Sequence, residues 1–273
     1  MYPNFLYIGT AKAGSSWIYE ILREHPEVFV PTAKDVQFFD RHYEKGIDWY
    51  CSLFKPGMGK KAVGELSHNY CLYEEVAVRI QRHLPDVRLF CCLREPLEKT
   101  VSAFLQQRGR KVSATLTFEE YAFRPQTLKQ GDYYYNLLPF YERFPRENIL
   151  VLFFDDLQKD PVIFAKRIYE FLGVDVTFQP QTLYRKVNPA GEARYLWLLY
   201  LAYKTGQFLR ELGLVNVVGV VKRNTAFRRL LFRPKEKPEI PDEVRRKLKE
   251  HYRERNKDLP KLIGQPLPEG WFS

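Results

Sequence analysis

Near the N-terminus an apolar run, Phe5 to Ile8, enters a loop bounded by Gly9 and Gly14, and a helical pattern leaves it at Trp17, Ile18, Ile21 and Leu22. This strand–loop–helix is the architecture of a phosphate cradle. Backbone N–H groups of the loop and of the first helical turn can hold an anion, and the helix dipole favours negative charge there. Lys12 lies inside the loop and adds a full charge. The spacing nearly matches the nucleotide-triphosphate loop G-x-x-x-x-G-K-[ST], with Gly9 and Gly14 in place. The position after Gly14, where that loop carries its lysine, is Ser15, and the lysine stands two residues before Gly14 instead.

A second segment has the same logic. Val87 to Leu93 is an apolar run with one arginine, of strand length and bounded by Pro85 and Pro96. It reads as a buried parallel strand. Arg94-Glu95-Pro96 follows at its carboxyl end, then a helical pattern through Thr100, Val101, Ser102, Phe104 and Leu105. Ligands of parallel α/β sheets bind outside the carboxyl ends of the strands. Arg94 is therefore placed for a forked contact with a phosphate, and Ser102 could donate a hydroxyl to the same group. Taken alone, Arg94 would equally suit an ion pair with Glu95 or Glu98. Further along, Ala62 to Glu65 reads as a short strand followed by a loop, Leu66 to Tyr70, and Glu74 to Leu84 reads as a helix. Ile149 to Phe154 reads as another buried strand, and Asp160 as the cap of a helix that ends at Gly173. The expected fold is α/β, a single domain over 1–273 with a central parallel β-sheet flanked by helices.

Three of these blocks resemble the sulfotransferases that use PAPS (3′-phosphoadenosine 5′-phosphosulfate). Ala11-Lys12-Ala13-Gly14-Ser15-Ser16 is similar to their 5′-phosphosulfate loop, P-K-[ST]-G-[ST]-[ST], with Ala11 and Ala13 departing from it. Arg94 to Ser102 is similar to their 3′-phosphate motif, R-x-P-x-x-R-x-x-S, with Lys99 in place of the inner arginine. Lys34-Asp35-Val36-Gln37-Phe38-Phe39-Asp40, then Tyr43, then Lys45-Gly46-Ile47-Asp48-Trp49-Tyr50, resembles the heparan sulfate enzymes, most of all their N-sulfotransferase branch.

The resemblance implies transfer of a sulfuryl group from PAPS to a hydroxyl or amine of a glycan, a glycolipid or a small metabolite, releasing PAP. It implies a cofactor site of Lys12, Ala13, Gly14, Ser15, Ser16, Trp17, Arg94 and Ser102, with Arg194 added from the segment after Val187-Asn188-Pro189-Ala190. It gives Asp35 as the base and Lys12 as the group that neutralises charge on the leaving oxygen, and it requires no metal. Asp35 is one methylene shorter than the family's usual glutamate. The family's G-E-K-[ST]-P-x-Y reads Gly64-Glu65-Leu66-Ser67-His68-Asn69-Tyr70 here, so a lysine is missing and a histidine has appeared. His68 is the alternative base, since an imidazole suits proton abstraction near neutral pH. It would also serve as a structural histidine bonded to a loop carbonyl. Two other readings stay open: a P-loop nucleotide kinase or phosphotransferase, and a non-catalytic PAP- or carbohydrate-binding relative.

Composition sets outer bounds. The 43 Lys+Arg against 33 Asp+Glu suit an anionic cofactor, an anionic substrate or an anionic membrane surface. No nucleic-acid recognition motif accompanies the charge, so no nucleic-acid partner is expected. No stretch approaches the roughly 18–20 apolar residues of a membrane span, and the N-terminus lacks a signal-peptide pattern. The expectation is a cytoplasmic chain or a trimmed catalytic domain. Cys51, Cys71, Cys91 and Cys92 show no metal-ligand spacing and read as free thiols, with Cys91 and Cys92 on opposite faces of one strand. Leu196 to Val221 is either an amphipathic element for peripheral membrane or acceptor contact, within a helical subregion 193–240, or a pair of core-packing helices. The run Tyr133-Tyr134-Tyr135 reads as packing with hydroxyls at the rim. Oligomeric state is unread.

Overall fold

The computed structural model describes residues 1–108, 116–184, 191–193, 232–234 and 238–272. The chain forms two compact units. The larger comprises Met1–Thr100, Glu119–Val187 and Ile240–Ser273, and the smaller Val101–Phe118 and Asn188–Glu239.

In the larger unit the strands are β1 (Phe5–Gly9), β2 (Val28–Phe29), β3 (Ala62–Leu66), β4 (Arg88–Leu93) and β5 (Ile149–Phe153). Among the described residues they form one parallel sheet in the order β2-β3-β1-β4-β5. The alternating strand and helix patterns predict this, because a parallel pair needs a crossover and a helix supplies it. β1 is central and buried throughout. Its side chains alternate between the faces, with Phe5 and Tyr7 in one apolar core and Leu6 and Ile8 in the other. Cys91 and Cys92 divide between the same two cores, as the period of two requires, and all four cysteines are buried free thiols.

On the Phe5 face lie α1 (Ser15–Glu24), through Trp17, Ile18, Ile21 and Leu22, and α10 (Pro161–Leu172), through Phe164, Ile168 and Leu172. On the other face lie α2 (Phe38–Arg41), α3 (Gly46–Ser52), α4 (Glu74–His83) and α8 (Tyr133–Tyr141). Phe38 and Tyr50 stack there with centroids 4.5 Å apart, and with Phe39 they are the members of the heparan-like motif that lie buried in the core. The other helices before the C-terminal segment, among the described residues, are α5 (Pro96–Arg108), α6 (Phe118–Ala122), α7 (Pro125–Lys129) and α9 (Phe154–Lys159). Asp160 caps α10 by accepting from the N–H groups of Val162 and Ile163 at 2.9 and 3.0 Å, and Gly173 closes it at φ 72°. Two C-terminal helices, Asp242–Arg255 and Leu259–Ile263, also belong to the larger unit.

Leu66 ends β3 and is buried, where the sequence suggests a loop residue. Gly64 beside it is dictated by close approach: a Cβ there would stand 2.1 Å from the Phe5 carbonyl oxygen. In the smaller unit, Gly191–Ala193 pairs antiparallel with Phe232–Pro234. Phe104 meets Phe118 edge to face at 5.4 Å. Arg194 and the segment Leu196 to Val221 lie outside the described residues.

Candidate active site

β1 and β4 are neighbours, yet the chain leaves β1 toward β2 and β3 and leaves β4 toward β5. Their carboxyl ends therefore open a topological switch point. The loop Thr10–Gly14 leaves one end and Arg94 the other. They are stitched together: the Thr10 amide and hydroxyl each donate to the Cys92 carbonyl at 3.0 Å, and Arg94 Nη1 donates to the Lys12 carbonyl at 3.2 Å.

The loop is shaped for an anion. Lys12 has φ 66° and Gly14 φ 84°, so the chain turns twice through the left-handed region before α1 begins. Gly14 is required twice over, since a Cβ there would also meet Leu157 Cδ2 at 2.8 Å. No acidic residue occupies the first turn of α1. Ala13 is fully buried beneath the loop. Trp17 points into the core, its Nε1 donating to the Leu183 carbonyl at 3.2 Å while its amide donates to the Gly14 carbonyl at 2.8 Å. Trp17 thus braces the cradle from behind.

Ser15 and Ser16 share a partner that the sequence does not flag. Lys34 Nζ donates to Ser15 Oγ at 2.9 Å and to Ser16 Oγ at 3.3 Å. Lys34 follows β2, and in the sequence it reads only as a neighbour of Asp35. Burial lowers its pKa, opposed by the charges of Asp35 and Glu20.

Arg94 is held on every side. Its guanidinium lies 4.8 Å from the Phe154 ring centroid, and Nη2 is 3.5 Å from Glu98, the ion pair that competes with any phosphate. Tyr133 donates to the Arg94 carbonyl at 2.6 Å, so the first residue of the tyrosine run packs directly under the strand end. Lys99, three percent exposed, donates to the Gln130 carbonyl at 2.9 Å, and burial drives its pKa down to about 8. It acts there as an internal tie. Ser102 lies partly exposed on α5, in the part of that helix belonging to the smaller unit.

The two candidate bases meet. Asp35 sits at φ 61° and Gln37 at φ 56°, which curls the segment so that the Asp35 amide donates to the Leu66 carbonyl at 3.0 Å. His68 Nδ1 is hydrogen-bonded to Asp35 Oδ1, and the His68 amide donates to the same oxygen at 3.3 Å. The two side chains are 28% and 26% exposed. Burial pushes the Asp35 carboxyl up, but the His68 hydrogen bond and charge and the Lys34 charge outweigh it and hold it below its ordinary value. In a neutral imidazole whose Nδ1 donates to this carboxylate, Nε2 would present the lone pair.

Beneath this pair lies a buried carboxylate. Glu65, one percent exposed, accepts from Tyr50 at 2.9 Å, Tyr70 at 2.7 Å and Ser67 at 2.8 Å. Burial raises its pKa to about 7 against the pull of those hydroxyls. Ser67 Oγ in turn accepts from the Gln37 amide at 3.2 Å, so Glu65 anchors the curled segment from below. Among the described residues, no group of three or more His, Cys, Asp or Glu is arranged to hold a metal ion, and no helix is long and apolar enough to cross a membrane.

Chemically, this face gathers an anion cradle, a second basic strand end and an oriented imidazole–carboxylate pair. A sulfotransferase domain model matches residues 3–260. The human bifunctional heparan sulfate N-deacetylase/N-sulfotransferase 3 is 27% identical over 97% of this chain, which spans 31% of that relative. The mouse heparan sulfate glucosamine 3-O-sulfotransferase 3B1 is 28% identical over 63% of the chain and 46% of its own length. The chain thus spans less than half the length of either of these two relatives. The crystal structure of a sulfotransferase from Alicyclobacillus acidocaldarius shares the fold, with a TM-score of 0.72, 23% identity and full coverage of both chains. The chain belongs to the sulfotransferase family of enzymes.

Proposed function

We propose that the chain transfers a sulfuryl group from PAPS to a hydroxyl or amine of an acceptor, with the Asp35–His68 pair as the proton acceptor. The observation that carries this reading is the contact of His68 Nδ1 with Asp35 on the strand-end face that also bears the Lys12–Ser16 loop. The donor set suits an anionic group: two hydroxyls and the Lys34 ammonium sit at a helix N-terminus whose first turn has no acidic residue.

PAPS, when bound, supplies the sulfuryl group, whose bond to the 5′-phosphate oxygen breaks as the acceptor oxygen or nitrogen bonds to sulfur. Lys12, Gly14, Ser15 and Ser16 would hold the 5′ end, and Arg94 the 3′-phosphate; Ser102 and Arg194 are proposed from sequence alone. His68 Nε2 would take the acceptor proton, while Asp35 fixes the tautomer and stabilises the imidazolium that forms. Lys12 would offset negative charge on the departing oxygen. This is positioning and electrostatic stabilisation with no covalent enzyme intermediate. The heparan sulfate relatives favour a glycan as acceptor, and glycolipids and small metabolites share the required nucleophile.

Calorimetric titration with PAP, with magnesium–ATP as the control, tests the donor. Metal-independent PAP binding that weakens by about tenfold or more in Lys12→Ala is expected. A preference for magnesium–ATP, or no PAP binding by the folded chain, would overturn the assignment.

A further inference from the structure

Lys34 occupies an electrostatically odd position. Its ammonium lies at the start of α1, bonded to the hydroxyls of the first two helical residues, Ser15 and Ser16. A helix N-terminus carries partial positive charge and ordinarily draws anions. A second cation there is repelled by the dipole. The two nearby carboxylates do not pair with it, because Asp35 is bonded to His68 and Glu20 to Arg23 at 2.8 Å. Among the described residues Lys34 forms no ion pair, and it is half-buried. A half-buried ammonium held against a helix N-terminus gains most when an anion joins it.

The hydroxyl geometry points the same way. An ammonium has donors and no acceptor, so Ser15 Oγ and Ser16 Oγ must accept from it. Each hydroxyl hydrogen is then directed elsewhere and is free to donate. The serines become relays that carry the Lys34 charge to whatever sits on the loop, and chained hydrogen bonds strengthen one another.

We infer that Lys34 is a second clamp on the anion in the Thr10–Ser16 loop, binding the 5′-phosphate end of the nucleotide together with Ser15 and Ser16. The inference rests on the PAPS reading and deepens it. It gives that end of the donor two lysines of separate origin, Lys12 from the β1 loop and Lys34 from the segment after β2. It also makes Lys34 and Asp35, consecutive in the chain, address donor and acceptor respectively.

The test compares two ligands on wild type, Lys34→Ala and Lys34→Arg, with thermal midpoints recorded for each. The ligands are PAP and adenosine 3′-phosphate, which lacks the 5′-phosphate, the latter measured by displacement of PAP. Loss of a charged hydrogen-bond partner weakens binding by about 10- to 100-fold. That loss is expected for PAP in Lys34→Ala, with adenosine 3′-phosphate unchanged and Lys34→Arg recovering part of the PAP affinity. Unchanged PAP affinity in Lys34→Ala, or equal losses for both ligands, would overturn the inference, the second outcome showing that Lys34 only shapes the loop. Failure of folded wild type to bind PAP would instead sink the PAPS reading, and this inference with it.

Discussion

Asp35 and His68 read in the sequence as rival bases, 33 positions apart, and the fold makes them one device. In the proposed mechanism a carboxylate holding Nδ1 and an imidazole exposing Nε2 would share the work of a triad without its nucleophile. Neither residue should therefore act alone. His68→Gln is expected to lower kcat about 10²- to 10⁴-fold, the usual contribution of a general base. Asp35→Asn removes the acceptor that sets the tautomer and should lower kcat by a comparable factor. The double variant should be little worse than either single one, since residues that act as a unit are not additive. Single-turnover rates with PAP affinity measured alongside would check this; a multiplicative loss in the double variant would show two independent roles.

The elements nearest the site were the most legible. The β1 loop, the Arg94 strand end and the α10 caps all follow from local patterns that the fold obeys. Asp160→Ala should destabilise the chain by about 1 kcal/mol in denaturant unfolding, the usual value of such a cap. What the sequence hid was long-range or left-handed. Sheet order brings the segment after β2 beside the loop after β3, and no local pattern reports that order. Asp35 and Gln37 adopt positive φ without being glycine, so an extended or helical reading misdirects their side chains and that of Lys34. Trp17 reads in the sequence as a ligand contact because it follows the loop, and its indole packs in the core behind that loop. Tyr133 carried no signal beyond its run, since its bond is to a backbone carbonyl.

Across the whole molecule, two buried charges shape the response to pH. Glu65 titrates near 7 in the fold against 4.5 as a free side chain. Between those values the folded state holds a proton that the unfolded chain has released. Its contribution is therefore full below pH 4.5 and is lost as pH rises through 7. Lys99 titrates near 8 against 10.5. Between those values the unfolded chain holds the extra proton, so this contribution is full above 10.5 and is lost as pH falls through 8. Together the two groups put a trough in stability between about pH 7 and 8. Glu65→Gln should flatten the acid side of the profile and Lys99→Met the alkaline side, read from unfolding midpoints across pH; slopes unchanged by both substitutions would refute the assignment. The thiols offer a different kind of record. Cys71, Cys91 and Cys92 sit in or against the central sheet, and burial pushes all three away from thiolate formation, Cys71 to about 12. A sulfur that is both shut away and protonated reacts with an alkylating reagent only while the sheet around it has come apart. The chain therefore carries its own clock, in which each modified cysteine marks one excursion of the core into solvent.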